Sequence, residues 1–389
     1  AKFCSLTDGK AMSTYNEKLI LEYFRQIPQS PTVELIHSYE EGSEIVLVLK
    51  RYPHDFRGLQ GLKVFDQVYI SQIFFVFNSL ANSVYKMHKL SVVHRDLKSA
   101  NVLLDEDGRS HLTDFGLAKF QVTQSMISPV STDFQLLQLG TPVYMPPEVL
   151  FAINSENKQI TKCKVSEMAV DLYAMAIIMV EILYCDFMFQ IKHDRTAMKQ
   201  IYLQLYCSQL LKMCRECYQM EENDALEYIV SHFPGPNREK VVQFLKMPSL
   251  NLKPLLNLIF VLRFKEQLFS SQIKPFVDDF VQKFANLLSG LPSRRSHVSN
   301  CDIFKQDLHN IVSSLPKEGL DGKIQDVKTH CVIDKNALEL LGVKLDKKPN
   351  EFGGVLVFQN LISRSQRYSC LNRDIKEFKN FDDLKAQMK

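Results

Sequence analysis

The stretch VHRDLKSANVLLDEDGRSHLTDFG, which begins at residue 93, places a lysine among acidic and amide side chains that could do chemistry. These residues are Asp96, Lys98, Asn101 and Asp114. A converging carboxylate and amide oxygen suit Mg²⁺, a hard cation that usually arrives with the phosphates of a substrate. If Asn101 and Asp114 hold the cation, Asp96 is left to accept a proton and Lys98 to neutralise a phosphoryl group.

Two strands must position these ligands. The apolar residues 102–104 predict one strand directly after Asn101, and a second strand ends just before Asp114. The Asp107-Gly108 pair between them predicts a tight turn. Because the two ends of a hairpin lie side by side, we expect the cation ligands to be brought together.

The same stretch resembles the catalytic and metal-binding loops of eukaryotic-type protein kinases, H-R-D-L-x-x-x-N followed by D-F-G. Lys98 is similar to the lysine of serine/threonine kinases, and the whole run resembles the tyrosine-kinase-like group. The resemblance implies ATP and Mg²⁺ as cofactors and a protein substrate with a serine or threonine acceptor. It makes Asp96 the group that orients the hydroxyl and accepts its proton, Lys98 the stabiliser of the transferring group, and Asn101 and Asp114 the Mg²⁺ ligands.

The nucleotide-binding residues follow from the same resemblance. Ala1-Lys2 resembles the end of the kinase V-A-I-K strand, whose lysine holds the α and β phosphates. Residues 13–24 have helical periodicity with Leu19, Ile20 and Tyr23 on one face, and Glu17 on that helix is the expected partner of Lys2. The alternative is that Lys2 and Glu17 are solvated surface charges.

Two strand-like runs, 32–40 and 43–52, are separated by a Glu-Gly pair that indicates a hairpin. The resemblance implies that the second run ends at the hinge between the lobes, with Leu49 near the back of the adenine pocket. The residues expected to offer backbone groups to adenine are Lys50, Arg51 and Tyr52.

Residues 121–138 are rich in Ser, Thr and Gln and resemble an activation loop that ends at LGTPVYMPPEVL. Thr141 resembles the threonine that bonds to the catalytic aspartate and lysine. Glu148 resembles the A-P-E glutamate, with Pro146 in the place where alanine is usual. The expected partner of Glu148 is Arg295, with Arg294 as the alternative. The candidate phosphorylation sites are Thr123, Ser125, Ser128, Ser131 and Thr132.

Two further residues support the catalytic loop by resemblance. Asp171 matches the acidic residue at the start of the kinase central helix, which accepts hydrogen bonds from the catalytic-loop backbone. Arg95, next to the catalytic aspartate, could bind an activation-loop phosphate as a charge-assisted pair.

Composition narrows the class of protein. The chain has 389 residues, 46% of them apolar, and a formal charge of only +3, which gives no strong case for nucleic acid or an anionic membrane as partner. The nine cysteines form no framework and indicate reduced thiols in the cytoplasm or nucleus. The apolar stretch AVDLYAMAIIMVEIL carries two acidic residues and predicts a buried core helix rather than a membrane span.

The predicted fold class is α+β, a bilobal kinase fold with an incomplete β-rich small lobe and a mainly helical large lobe. The expected divisions are a partial small lobe at 1–52, a large lobe at 53–298 with a divergent region at 186–288, and a C-terminal extension at 299–389 without an assigned role. No glycine-rich loop precedes Lys2, so the sequence resembles a fragment of a longer protein. We expect the 389-residue chain itself to bind ATP weakly.

Three alternatives stay open. A pseudokinase or scaffold is favoured by the divergent region and opposed by the intact catalytic motifs. A small-molecule kinase of similar fold is disfavoured by the GTPVYMPPE stretch. Zinc binding by Cys214 and Cys217, with Cys207 nearby, is less favoured than packed thiols, because no second pair or histidine set accompanies them.

Overall fold

A computed structural model describes residues 2–5, 11–56, 70–121, 140–153, 166–184, 194–233, 238–246, 252, 253, 256 and 274–296. The expected C-terminal extension, 299–389, lies outside these residues. So do the candidate phosphorylation sites Thr123, Ser125, Ser128, Ser131 and Thr132.

The first sheet has three antiparallel strands in the order β1, β3, β2. These are β1 (Lys2–Ser5), β2 (Leu35–Glu41) and β3 (Glu44–Leu49). Gly42, with a φ of 60°, turns the chain between β2 and β3, so the predicted hairpin is confirmed. Lys2 lies opposite Leu47 of the central strand.

Helix α1 (Ala11–Arg25) packs against this sheet. Its buried face carries Ile20, Leu21 and Phe24, spaced as one stripe of a helix requires. Leu19 was expected on the same face as Ile20, but its side chain is 60% exposed. The buried residues of the helix are Thr14, Glu17, Ile20, Leu21 and Phe24, and their spacing places Leu19 on the other side of the helix.

Short strands surround the stretch that carries the catalytic motifs. Strands β4 (His54–Asp55), β6 (Val102–Leu104) and β7 (Ser110–Leu112) form a sheet in the order β4, β6, β7. The β6–β7 hairpin is the predicted one, with Gly108 at a φ of 78° in its turn. Strand β5 (Val92–Val93) pairs with β8 (Lys119–Phe120), so the chain enters and leaves this stretch at neighbouring points.

Helix α2 (Ile70–Lys89) leads directly into β5. Phe77, Leu80, Val84 and Met87 are fully buried along one of its faces.

Two helices form the centre of the larger, helical part. Helix α3 (Pro147–Ala152) is buried at every position, and α4 (Glu167–Tyr184) is buried throughout 171–183. The predicted core helix is therefore confirmed. Among the described residues, no helix combines the length and apolarity needed to cross a membrane.

The remaining helices come from the region expected to be divergent and from its end. They are α5 (Arg195–Tyr218), α6 (Glu222–Ser231), α7 (Arg238–Lys246), α8 (Lys274–Leu287) and α9 (Pro292–Ser296). Asp194 caps α5 by accepting hydrogen bonds from Thr196 N at 2.8 Å and Ala197 N at 3.3 Å. Helix α5 packs on α3, so this region shares the core of the central helices.

Three cysteines of α5, Cys207, Cys214 and Cys217, are buried and form no disulfide in the part of the chain that the structure describes. Within the described ranges, no group of three or more His, Cys, Asp or Glu side chains could hold a metal ion.

Candidate active site

The loop after β5, residues 94–101, is the one that resembles the kinase catalytic loop and is called the catalytic loop below. It is anchored on the first turns of α4. Asp171 accepts hydrogen bonds from His94 N and Arg95 N, both at 2.8 Å, and from His88 Nε2 at 2.9 Å. Burial alone would raise the pKa of Asp171, but its bond to His88 and the charges of His88 and His94 outweigh burial and lower that pKa. Arg95 has a φ of 67°, a left-handed conformation that a non-glycine residue adopts only when neighbouring contacts hold it.

Asp96 has a polar partner on each carboxylate oxygen. Its Oδ2 accepts a hydrogen bond from Lys98 Nζ at 2.7 Å. Its Oδ1 accepts two, from the backbone N and the Oγ1 of Thr141, both at 3.0 Å. The carboxylate is 10% exposed, so it is fixed in orientation yet still reaches solvent.

The approach of Thr141 depends on Gly140. Its φ is 111°, a conformation that side-chain-bearing residues rarely adopt. A Cβ there would lie 3.0 Å from Met145 Cε and 3.4 Å from the carbonyl oxygen of Arg95. The segment therefore passes close to the catalytic loop only because the residue is glycine.

A second contact fixes the same segment. The Tyr144 hydroxyl donates to Glu181 Oε2 at 3.0 Å and lies 3.0 Å from Ser99 Oγ. Burial and the Glu181 charge raise the pKa of Tyr144 well above its usual range, so it remains a neutral donor. Tyr144 thus joins three parts of the chain, which are the catalytic loop, α4 and the segment that precedes α3.

The proposed cation ligands meet at the open end of the β6–β7 hairpin. Thr113 N donates to Asn101 O at 3.1 Å, so Asp114 follows directly beside Asn101. The Asn101 Nδ2 donates to the Asp96 carbonyl at 3.0 Å, which leaves the amide oxygen as the atom for a cation. A carboxylate and an amide oxygen fit the hard-ligand preference of Mg²⁺.

Asp114 is also close to the lysine of β1. Lys2 Nζ lies 2.6 Å from Glu17 Oε2 and 3.3 Å from Asp114 Oδ1. Burial raises the pKa of Glu17, and the charge and hydrogen bond of Lys2 offset only part of that effect. The second oxygen of Glu17 is buried without a partner among the described residues.

The residues expected at the hinge lie at the end of β3 and directly after it. Leu49 packs at the margin of the core. Lys50 N donates to Glu34 O at 3.0 Å, which leaves the carbonyl of Lys50 as its remaining backbone group for a nucleotide. Arg51 is exposed, and the Tyr52 ring packs on His111 with centroids 4.6 Å apart.

An ion pair between Glu148 of α3 and Arg295 of α9 joins the beginning and the end of the helical part of the fold. Both side chains are fully buried. The neighbouring Arg294 is exposed. Sequence reasoning left both arginines open, and the structure places Arg295 against Glu148.

Several residues near the site were not singled out from the sequence. They are Asn16, His88, Gly140, Tyr144 and Glu167. Glu167 Oε1 lies 3.5 Å from Arg95 Nη1 and 3.8 Å from Lys119 Nζ, a position next to the catalytic loop. Only Gly140 had a visible signal, its place just before Thr141 in LGTPVYMPPEVL.

The site holds one aspartate, Asp96, between a lysine and a threonine. Beside it lie Asn101 and Asp114, which can share a cation. This is the arrangement of a protein kinase site. The chain matches the family model described as protein kinase domain over residues 5–286, more than half of its length. It therefore belongs to the protein kinase domain family, and the kinase fold predicted from its sequence is confirmed.

The curated relatives are themselves kinases. The chain is 32% identical to human Citron Rho-interacting kinase over 124 residues, which is 32% of this chain and 5% of that protein. It is 27% identical to the probable CTD kinase subunit alpha homolog of Encephalitozoon cuniculi, over 47% of this chain and 49% of that protein. It is 28% identical to human ribosomal protein S6 kinase alpha-4, over 48% of this chain and 22% of that protein. The chain thus spans half or less of each.

Among solved structures, one similar to this chain is the yeast RNA Pol II CTD kinase CTDK-1 complex. The alignment covers 76% of this chain and 80% of that chain, with a TM-score of 0.48 and 19% sequence identity.

Proposed function

We propose that the protein transfers the γ-phosphoryl group of ATP to a serine or threonine hydroxyl of a protein substrate. The observation that carries the proposal is the Asp96 carboxylate. Lys98 and Thr141 fix its orientation, and Oδ2, which has a single donor among the described residues, keeps a lone pair for the acceptor hydroxyl. Asp96 would orient that hydroxyl and take its proton at Oδ2.

The surrounding residues have complementary roles in the proposal. Asn101 and Asp114 would hold Mg²⁺, which neutralises charge on the nucleotide phosphates when bound. Lys98 Nζ, 2.7 Å from Asp96, would stabilise the transferring group from the acceptor side. Phosphoryl transfer passes through a loose transition state, so such positioning and charge neutralisation matter more than covalent chemistry.

Lys2 would bind the nucleotide phosphates. Its ammonium group is held on one side by Glu17 and on the other by Asp114, so phosphates that enter there meet a cation of fixed position. Leu49 and the backbone of Lys50, Arg51 and Tyr52 would receive adenine at the hinge.

Preference for serine or threonine is supported by the double contact on Asp96. Lys98 and Thr141 bind opposite oxygens of that carboxylate, which defines a narrow acceptor position. A reducing location, the cytoplasm or nucleus, is supported by the buried cysteines Cys207, Cys214 and Cys217, which form no disulfide among the described residues.

A second candidate is a pseudokinase that uses the fold to bind other proteins. The observation that favours it is the Lys2–Asp114 contact of 3.3 Å, because the ammonium group of Lys2 engages a carboxylate oxygen that a cation would need.

Phosphoryl transfer to a panel of serine, threonine and tyrosine peptides tests the proposal. Asp96→Asn should lower transfer by about 10²–10⁴-fold while leaving the binding of a fluorescent Mg-ATP analogue unchanged. Asp107→Asn, in the exposed hairpin turn, is the control and should behave as wild type. Undiminished turnover in Asp96→Asn would overturn the assignment. Nucleotide binding by the wild type without transfer to any peptide would favour the pseudokinase.

A further inference from the structure

Asn16, the residue before Glu17 on α1, reaches across to the segment that follows Asp114. Its Nδ2 lies 3.1 Å from the carbonyl oxygen of Phe115, 3.4 Å from that of Gly116 and 2.6 Å from that of Ala118. An amide nitrogen carries two hydrogens. The carbonyls of Phe115 and Ala118, at the two shorter distances, accept one hydrogen each, and the carbonyl of Gly116 shares one of them. One side chain therefore satisfies successive carbonyls of this turn.

The backbone of the segment lies unusually close to α1. A Cβ on Gly116 would be 2.2 Å from Ser13 Oγ, a separation that real atoms do not tolerate. Further along the helix, the rings of Phe24 and Phe115 pack with centroids 5.9 Å apart. The turn is thus seated on α1 over several helical turns, with Asn16 as its polar contact.

The segment needs such support because of Asp114. Its φ of 66° and ψ of 63° are left-handed, a conformation that costs free energy for a residue with a side chain. The 3-10 turn Phe115–Leu117 begins directly after it. Contacts to the carbonyls of that turn therefore favour the conformation that points Asp114 toward Lys2.

We propose that Asn16 is a positioning residue that fixes the Asp114 segment on α1 for binding of the Mg-nucleotide. Glu17 holds Lys2 and Asn16 holds the segment of Asp114, so adjacent residues of one helix set the separation of the two groups that meet the phosphates and the cation. A displacement of α1 would move both together. The role rests on the proposed function, whereas the anchoring itself rests on the contacts alone.

Three variants test the role. Asn16→Leu keeps the size of the side chain and removes the donor. Asn16→Asp keeps the shape and presents oxygen to three carbonyl oxygens. Asn16→Gln retains the amide and should restore part of the effect. The matched control is Glu22→Gln, on the same helix, where the carboxylate accepts a hydrogen bond from Ser38 and does not touch the segment.

Hydrogen–deuterium exchange of a peptide spanning 113–121, measured on the full chain without nucleotide, reports the anchoring. Exchange should be about tenfold faster in Asn16→Leu and Asn16→Asp than in wild type, which corresponds to the loss of one or two hydrogen bonds. Glu22→Gln should exchange as wild type does. Equal exchange in wild type and Asn16→Leu would overturn the proposal, whatever the enzyme assays show.

Kinetics separate positioning from a general loss of structure. The Mg²⁺ concentration for half-maximal activity should rise about tenfold in Asn16→Leu, with the KM for peptide unchanged and partial recovery in Asn16→Gln. A rise in peptide KM with unaltered Mg²⁺ dependence would contradict the role. If the wild type neither binds Mg-nucleotide nor transfers phosphoryl groups, the proposed function fails, while the exchange experiment still decides whether Asn16 anchors the segment.

Discussion

Arg295 pairs with Glu148 across 147 positions of the chain, and neither side chain is exposed to solvent. Arg295 Nη1 also donates to Ser289 O at 2.7 Å, and the guanidinium lies over the Tyr173 ring, 5.1 Å from its centroid. The pair therefore joins α9 to the start of α3, just after the segment that carries Thr141.

We expect Arg295→Ala to lower the free energy of unfolding by about 3–5 kcal/mol, because it leaves the buried Glu148 carboxylate without its counter-charge. Arg294→Ala, one residue earlier and exposed, should change it by less than about 0.5 kcal/mol. Urea unfolding of both variants measures the difference. Equal losses in the two variants would show that burial of the pair does not govern stability.

The sequence predicted the local parts of the site because their signals are local. The hairpin between Asn101 and Asp114 follows from two short apolar runs and a turn pair, and the buried α4 follows from its apolar stretch. Contacts made by one side chain across the fold were not predictable. Asn16 stands 99 positions from Phe115, and no periodicity or motif indicates which carbonyls its amide would meet.

The region after α4 shows the same limit. It was predicted only to be divergent, and its sequence does not indicate the partners of its tyrosines. Tyr202 donates to Met145 O at 2.6 Å and Tyr206 to Leu288 O at 2.8 Å. Both acceptors are backbone carbonyls of distant segments, which carry no side-chain signal. The packing of α5 against the segment before α3 therefore came only from the structure.

Gly140→Ala should slow phosphoryl transfer by about tenfold or more, because a φ of 111° strains alanine and the new Cβ crowds Met145 and the Arg95 carbonyl. The expected cause is displacement of Thr141 from Asp96. Gly42→Ala is the control, since a Cβ there would have no atom within 4 Å and its φ of 60° is one that alanine can adopt at modest cost. Transfer rates and thermal stability should be measured for both; a loss in Gly42→Ala as large as in Gly140→Ala would contradict the argument.

Lys199 on α5 predicts a pH dependence of stability. Its side chain is 1% exposed, its Nζ donates to Ile153 O at 2.7 Å, and burial together with the charge of Arg195 lowers its pKa to about 8. Between this pKa and the ordinary value of 10.5 the unfolded chain binds more protons than the folded chain, so stability rises with pH. This contribution to stability is complete above pH 10.5, the ordinary pKa of lysine. It is lost as the pH falls through the lowered pKa of about 8.

The difference in unfolding free energy between wild type and Lys199→Met should therefore grow in favour of wild type as pH rises from about 8 to 10.5, by about 3 kcal/mol. Lys212→Met, at an exposed position of the same helix, is the matched control for the loss of one lysine. A constant difference across this range would mean that Lys199 keeps its ordinary pKa in the folded protein.

Glu167 gives a prediction about regulation. Its carboxylate is 12% exposed and lies between Arg95 at 3.5 Å and Lys119 at 3.8 Å, while Arg95 Nε donates to Leu117 O at 2.7 Å. Arg95 was expected from the sequence to bind a phosphate on the loop after Asp114. Because a carboxylate of the chain already lies beside both cations, we expect catalysis to need no phosphate there.

Wild-type protein treated with a phosphatase should therefore retain most of its transfer activity. Glu167→Gln should lower activity about tenfold, because the partly buried Arg95 loses a charge-assisted partner next to the catalytic loop. Glu222→Gln, an exposed acid in the first turn of α6, is the control and should leave activity unchanged. If phosphatase treatment abolishes wild-type activity and Glu167→Gln has no effect, the anion beside Arg95 must come from phosphorylation, and Glu167 does not replace it.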